Sequence, residues 1–274
     1  MKGEREAVHP VPMPKQRIGV VVPTLNSAAT LTWTLCSLRN QKNVSVEIVV
    51  ADSGSTDGTA DICKFWDVRM IYVPPGNMYR AINAGLRQLD AEWITYLNSD
   101  DTVYADSYAR LVTRGEEQHA SFVYADCDFV DSEGRFLFVM KSPPPHRLPG
   151  LVRLSPLFSG RVGFGQPTAI YRKSVYEELG GFDEKYRNIG DTDFFYRLIT
   201  SGLPVARLPR PSVAAFRLHA SQLSNREGAN MWKELASFRR EMKVRASLGD
   251  FLDVVSWRLQ NSPIYLWRLS GLRP

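Results

Sequence analysis

Short apolar runs and helix-period stretches take turns along the first hundred residues. Ile18-Gly19-Val20-Val21-Val22, Val46–Ala51, Met70–Val73 and Trp93–Leu97 are apolar runs of strand length. Between them, Leu31, Leu35 and Leu38 share one helix face, and a short helix carries Ile62, Cys63 and Phe65. A third helix, Tyr79–Leu89, turns Ile82, Leu86 and Leu89 inward. Strand–helix alternation of this kind predicts an α/β fold with a parallel sheet and crossover helices.

After Asp101 the pattern changes. Tyr104–Thr113 reads as a helix, and Phe122–Asp126 and Arg135–Val139 as strands around the turn Asp131-Ser132-Glu133-Gly134. Ser142–Gly160 is proline-rich and reads as an irregular, mobile loop. Pro167–Tyr171 reads as a strand, and Ser174–Leu179 as a helix stopped by Gly180-Gly181. Phe194–Ser201 is a helix ended by Gly202, Val205–Leu208 a strand, and Phe216–Ser224 an irregular piece. Beyond it, Trp232, Leu235, Phe238, Met242 and Arg245 trace a helix with a mixed face. Phe251, Leu252, Val255 and Leu259, then Ile264, Tyr265, Trp267 and Leu269, continue an amphipathic pattern. The chain therefore divides into a flexible polar arm (1–16), an α/β domain (17–225) and an amphipathic helical tail (226–274).

Composition narrows the partners. The formal charge is +5, and residues 226–274 hold nine Lys/Arg against five Asp/Glu, a surplus of four. The body is then close to neutral, which argues against a nucleic-acid enzyme with a broad basic face. Three of the six tryptophans lie in the tail among arginines, a combination suited to an interfacial helix on anionic lipid. The other reading packs the tail on the domain or on a second subunit as a homodimer. Cys36, Cys63 and Cys127 are scattered and odd in number, as reduced core residues of a cytoplasmic protein would be. No stretch approaches the roughly 20 apolar residues of a membrane span, so any membrane contact would be peripheral, at the inner face.

The candidate chemistry sits where strands stop. Trp93–Leu97 runs into Asn98-Ser99-Asp100-Asp101, two adjacent carboxylates that repel unless a cation or solvent neutralises them. The loops after Val22 and Ala51 are also polar, and ligands bind at the carboxyl ends of parallel strands. Asp52-Ser53-Gly54-Ser55 puts an acid where a phosphate loop would carry only glycines and hydroxyls. It suits a base N–H or a ribose hydroxyl better than a phosphate, and turn formation is its ordinary alternative. Asp191 and Asp193 lie at or near a helix N-terminus, where they read either as caps or as a general base kept ionised by the helix dipole.

Taken in order, these pieces resemble a family 2 glycosyltransferase with the GT-A fold, a Rossmann-like, mostly parallel central sheet flanked by helices. The matching segments are Val22-Pro23-Thr24-Leu25-Asn26, Asp52–Thr59, Leu97–Asp101, Gly180-Gly181-Phe182-Asp183, Asp191-x-Asp193-Phe194 and Arg217-x-His219. The resemblance implies a nucleotide pocket of Pro23, Thr24, Asn26, Asp52, Asn83, Asn98 and Ser99, with Asp52 on the base, usually uracil. It implies Mg²⁺ or Mn²⁺ held by Asp100, Asp101 and His219, and Asp191 as the catalytic base. The expected donor is a nucleotide-diphosphate sugar, UDP-linked. The acceptor is the hydroxyl of a glycan or lipid-linked molecule, and a single displacement inverts the anomeric centre.

Three departures from the family pattern stand out. Asn98 replaces the first acid of the family's Asp-x-Asp. Ile82 replaces the usual arginine of Ala-Arg-Asn, with Arg80 on nearly the opposite helix face. Gly165-Gln166 stands where some relatives have His-Gln. The Gln-x-x-Arg-Trp of processive synthases does not occur, so addition of one sugar is expected. A non-catalytic nucleotide-sugar-binding protein of the same fold is the alternative. A sugar-phosphate nucleotidyltransferase would want a glycine-rich basic loop near the first strand, and Pro23–Asn26 offers none.

Overall fold

The four apolar runs become parallel strands β1 (Gln16–Thr24), β2 (Val44–Asp52), β3 (Arg69–Tyr72) and β4 (Trp93–Tyr96). They belong to a computed structural model that describes residues 16–158, 163–219, 228–243 and 246–264. The crossovers are α1 (Leu31–Arg39), α2 (Thr59–Phe65) and α3 (Met78–Leu86). Leu31, Leu35, Leu38, Ile82 and Leu86 are buried as the helical spacing requires, while Phe65 of α2 is exposed. The expected arm 1–16 lies outside the described residues but for Gln16, which already belongs to β1.

Three further strands, β6 (Phe122–Ala125), β9 (Ile170–Arg172) and β10 (Val205–Leu208), complete a seven-stranded sheet in the order β10-β6-β9-β4-β1-β2-β3. Its neighbours are parallel except around β9, which runs against both β4 and β6. Both faces are covered. Helix α3 and α7 (Gly190–Thr200) pack on one, α1 and α4 (Ser107–Glu117) on the other. Two glycines set the helix–sheet distance. A Cβ on Gly85 of α3 would meet Val21 at 2.6 Å, and one on Gly115 of α4 would meet Trp93 at 2.4 Å. Any larger residue would push its helix off the sheet.

A second sheet, in the order β5-β11-β7-β8, joins β5 (Thr102–Val103), β7 (Cys127–Val130), β8 (Phe136–Met140) and β11 (Ala214–Arg217). It corrects the expected hairpin. The partner of β8 is β7, not Phe122–Asp126, because the chain changes sheets at Asp126. That residue is buried and accepts from Arg207 at 2.7 Å and from the Ser142 N–H at 2.9 Å. An apolar run interrupted by two acids carries no signal that its halves join different sheets.

Ser142–Gly160 differs as well. A 3₁₀ turn at Pro145–Arg147 leads into α5 (Leu148–Phe158), with Leu148, Leu151, Val152 and Leu154 buried. Pro149 falls in the first helical turn, where the missing N–H costs nothing; residues 159–162 lie outside the described set. A short α6 (Lys173–Glu178) follows β9. The expected irregular piece begins as β11 instead, and its residues 220–224 lie outside the described set.

In the tail, α8 (Gly228–Glu241) buries Leu235 and Phe238 beside Tyr186 and Ile189. Helix α9 (Leu248–Gln260) buries Val254 and Trp257 against Leu151, Leu154 and Met140. Arg245, Tyr265, Trp267 and Leu269 lie outside the described residues. Among those described, no helix is long and apolar enough to cross a membrane. Cys63 and Cys127 are buried and Cys36 partly so, all three as free thiols. Burial pushes the Cys63 thiol up to about 11, which leaves it unreactive.

Candidate active site

Strands β1 and β2 end side by side, with Thr24 opposite Asp52. The loops that follow are tied to each other. Thr24 Oγ1 donates to Asp52 Oδ1 at 2.8 Å and Ser55 Oγ to the same oxygen at 2.5 Å; the Gly54 and Ser55 N–H groups both donate to Oδ2 at 2.9 Å. Burial alone would raise the Asp52 pKa, but these hydrogen bonds outweigh it and hold the carboxyl below its ordinary value. Asn26 takes the left-handed backbone (φ 53°) that asparagine tolerates. Its Oδ1 accepts from the Thr56 N–H at 2.9 Å, and its own N–H donates to Ser55 Oγ at 2.8 Å. Pro23 is buried in β1 opposite Ala51. Four of the residues expected to meet a nucleotide thus form one rigid platform at the carboxyl edge of the sheet.

Strand β4 delivers the acidic turn to the same edge. Ser99 Oγ donates to Ser27 Oγ, and Thr34 Oγ1 donates to the Asp101 carbonyl, each at 2.8 Å. The two acids then part ways. Asp101 is buried: its Oδ1 accepts the Arg217 N–H at 2.9 Å, and Asn98 Nδ2 lies 3.4 Å from Oδ2. Burial and then the neighbouring Asp100 push its pKa up. Asp100 is partly open and sits 2.8 Å from His219 Nε2, while Arg217 Nε donates to the Asp100 carbonyl at 3.0 Å. Asp101 is the latch between this turn and β11, and the Asp100–His219 pair keeps about a fifth of each side chain in solvent.

Among the described residues, no three His, Cys, Asp or Glu side chains gather into a ready metal cage. The donor chemistry of Asp100 and His219 nonetheless fits a hard or borderline divalent ion whose other ligands are ligand oxygens and water.

Asp191 lies in the first turn of α7 and meets Tyr79 in the first turn of α3. Tyr79 Oη donates to Asp191 Oδ1 at 3.0 Å, and the Thr192 N–H donates to the same oxygen at 2.8 Å. Oδ2 accepts from no described residue. Gly190 makes the approach possible, since a Cβ there would lie 2.6 Å from the tyrosine ring. Surrounding protein raises the Asp191 pKa, although part of the residue keeps contact with solvent. Tyr96, at the end of β4, is pushed up by burial and then by charges that include both Asp191 and Asp101; the two carboxylates therefore act on one edge. Asp193 has a different task. It pairs with Arg197 at 2.6 Å, and Arg197 also donates to the Leu179 and Gly181 carbonyls, clamping the Gly180-Gly181 turn to α7.

Asn83 departs from its expected place in the nucleotide pocket. It is buried, donates to the Phe182 carbonyl and Glu184 Oε1, and accepts from Tyr176 Oη and the Phe182 N–H. With all its polar capacity used inside the protein, it is a clamp. Ile82 beside it is fully buried, and Arg80 pairs with Glu184 at 3.3 Å. Gly165 is required by Cys127, whose Cβ and Sγ would lie 2.7–2.8 Å from any added Cβ; no histidine fits there. Tyr79 was hidden as an ordinary helix-starting aromatic, and its one legible sign was its place in the helix that carries Asn83. Arg217 stood in a matching segment without a role.

Loops at the carboxyl edge of a mostly parallel sheet, with carboxylates and a histidine brought there, are the place where an α/β fold binds its ligand. The glycosyl transferase family 2 profile matches residues 19–180. The chain belongs to that family, and it is a glycosyltransferase with the GT-A fold. It is 28% identical over 261 residues to the PGL/p-HBAD biosynthesis glycosyltransferase Rv2957 of Mycobacterium tuberculosis, covering 87% of this chain and 96% of that one. The structure of S. aureus TarS superposes with a TM-score of 0.63 at 20% identity, covering 87% of this chain and 41% of TarS. A shorter TarS form, 1–349, is solved with UDP-GlcNAc, with the same TM-score at 19% identity and 69% of that chain covered. The mannosyltransferase PcManGT of Pyrobaculum calidifontis, in complex with GDP-Man and Mn²⁺, gives a TM-score of 0.61 at 18% identity over 96% of this chain and 75% of its own.

Proposed function

We propose that the protein moves one sugar from a nucleotide-diphosphate donor, UDP-linked, to a hydroxyl of a glycan or lipid-linked acceptor, with inversion. The observation that supports this reading is the arrangement at one sheet edge: an anionic Asp52 platform, a partly open Asp100–His219 pair, and Asp191 with an Oδ2 that accepts from no described side chain. Asp52, unlike its expected role as acceptor for the base, has both oxygens filled by Thr24, Gly54 and Ser55; it anchors the loops on which the nucleotide would rest, with Thr24, Asn26, Asn98 and Ser99 holding them in place. Asp100 and His219 would hold Mg²⁺ or Mn²⁺, with Asp101 behind them as the latch. Such an ion, when bound, neutralises charge on the departing diphosphate.

Asp191 takes the proton of the acceptor hydroxyl through Oδ2 as that oxygen attacks the anomeric carbon. The carbon is oxocarbenium-like at that point, and the bond to the leaving diphosphate breaks on the opposite face. A raised pKa makes Asp191 a stronger base than an ordinary carboxylate, provided the pH keeps it ionised. The acceptor would reach this edge from the side of the tail if it is held in a membrane.

Calorimetry with UDP, with and without chelator, tests the donor side. Binding is expected only with Mg²⁺ or Mn²⁺, and Asp100→Ala is expected to remove that dependence. Asp191→Asn is expected to bind donor as the parent does while transfer falls by about 10²–10⁴-fold. Parent-like turnover in that variant would overturn the base assignment.

A further inference from the structure

Helix α9 has two apolar faces, and the body uses only one. Val254 and Trp257 are buried, whereas Leu248, Phe251, Leu252, Val255 and Leu259 are 36–76% exposed. Their spacing of 3, 4, 7 and 11 residues from Leu248 gathers them in a single stripe about 100° wide. Of the apolar positions legible in the sequence here, Phe251, Leu252, Val255 and Leu259 stay exposed while Ile264 is buried.

Charge in the tail is sorted by side. The described acids turn toward the body. Glu234 accepts from the Arg187 and Asn188 N–H groups at 3.0 and 2.9 Å, and Glu241 from Lys185 at 2.8 Å. Asp250 pairs with Arg153, and Asp253 lies 3.7 Å from Arg147. Four of the described cations turn outward. Lys233, Arg239, Arg240 and Lys243 are exposed and pair with no described acid; helical geometry puts the first three on the same side of α8 as the half-exposed Trp232, away from buried Leu235 and Phe238, and Lys243 follows just past the helix end. Both helices rest on α5.

We propose that the outer faces of α8 and α9 dock the enzyme on an anionic lipid bilayer. The α9 stripe enters the headgroup–acyl boundary, and the α8 cations lie on the headgroups. Charge selects this occupant. In a symmetric pair of chains this cation-bearing patch would lie on both sides of the interface, with the described acids of the tail already turned to the body, whereas an anionic bilayer meets it with the opposite sign. A thirteen-residue helix with five partly exposed side chains also offers little of the roughly 800 Å² per partner that a stable dimer buries. The proposal deepens the lipid-linked acceptor reading, but its test needs neither donor nor base.

The test is flotation of the full chain with vesicles of phosphatidylcholine alone or with about one-third phosphatidylglycerol. The parent is expected to float with the anionic vesicles at least roughly tenfold more strongly than with the neutral ones. Binding should fall by a similar factor in Phe251→Ser/Leu252→Ser and in Arg239→Gln/Arg240→Gln/Lys243→Gln. Both variants change exposed positions, and an unchanged midpoint of thermal unfolding serves as the check on their folding. Parent binding that is absent, or equal in the variants, overturns the proposal. A parent dimer by light scattering that Leu252→Asp dissociates would assign the stripe to a second copy and also overturn it.

Discussion

Tyr79 and Asp191 are 112 residues apart in the chain and share one hydrogen bond. That bond has a definite sign: by donating to the carboxylate it lowers the Asp191 pKa, against the larger rise from burial. The base works only when ionised, so transfer is expected to rise with pH through a limb above the ordinary carboxylate range. In Tyr79→Phe the donor is gone, burial acts unopposed by it, and the limb in kcat moves to higher pH. A purely structural role would lower kcat at every pH and leave the limb in place. Stability runs the other way. A folded pKa above the unfolded value favours the protonated form in the fold, so this contribution is present at low pH and lost as pH rises through the folded pKa. Asp191→Asn keeps an acceptor for Tyr79 without the charge, and its midpoint of thermal unfolding should exceed the parent's at pH 7. Each 1 kcal/mol recovered is about 2–4 °C.

Asp250 is one of the ties that fix helix α9, beside its buried Val254 and Trp257. Its carboxylate pairs with Arg153 of α5 and completes a capping box with Ser247, and the Arg153 bond leads the causes that hold its pKa low. Arg153 keeps about a third of its side chain in solvent, so loss of the partner does not strand a buried charge. Asp250→Ala should therefore cost about 1–2 kcal/mol, from the cap and the pair together. Hydrogen exchange should accelerate over 248–260 and not in β1 or β2. Equal acceleration in those strands would mean that α9 unfolds only with the whole. The depressed pKa gives this contact a pH window as well: it is present above the unfolded carboxyl value and lost as pH falls through the folded one.

Over the molecule as a whole, a ligand that binds the folded chain alone raises its unfolding temperature by mass action. UDP with Mn²⁺ at about 100 times its dissociation constant should raise the midpoint by about 5–10 °C. Chelator should remove the shift, and His219→Ala should shrink it. A shift that persists in chelator would count against a metal-assisted donor site.

Linear order alone was enough for β1, β2, β4, α1 and α3, because a strand buried on both faces and a helix buried on one leave a periodic trace, and the mostly exposed edge strand β3 was legible from its short apolar run. The ordered polar loops after Val22, Ala51 and Leu97 were legible for the same reason: each begins where an apolar run stops. Contact between distant residues leaves no such trace. Only the folded chain divides Asp100 from Asp101, turning one to His219 and the other inward to the Arg217 N–H. Only the folded chain spends Asn83 on Phe182, Tyr176 and Glu184 and brings Tyr79 onto Asp191. The switch of sheets at Asp126 and the burial of α5 likewise depend on partners that periodicity does not name. Local pattern decides which face of an element is apolar. Packing decides which apolar face is covered, and on α9 it left the more legible one open.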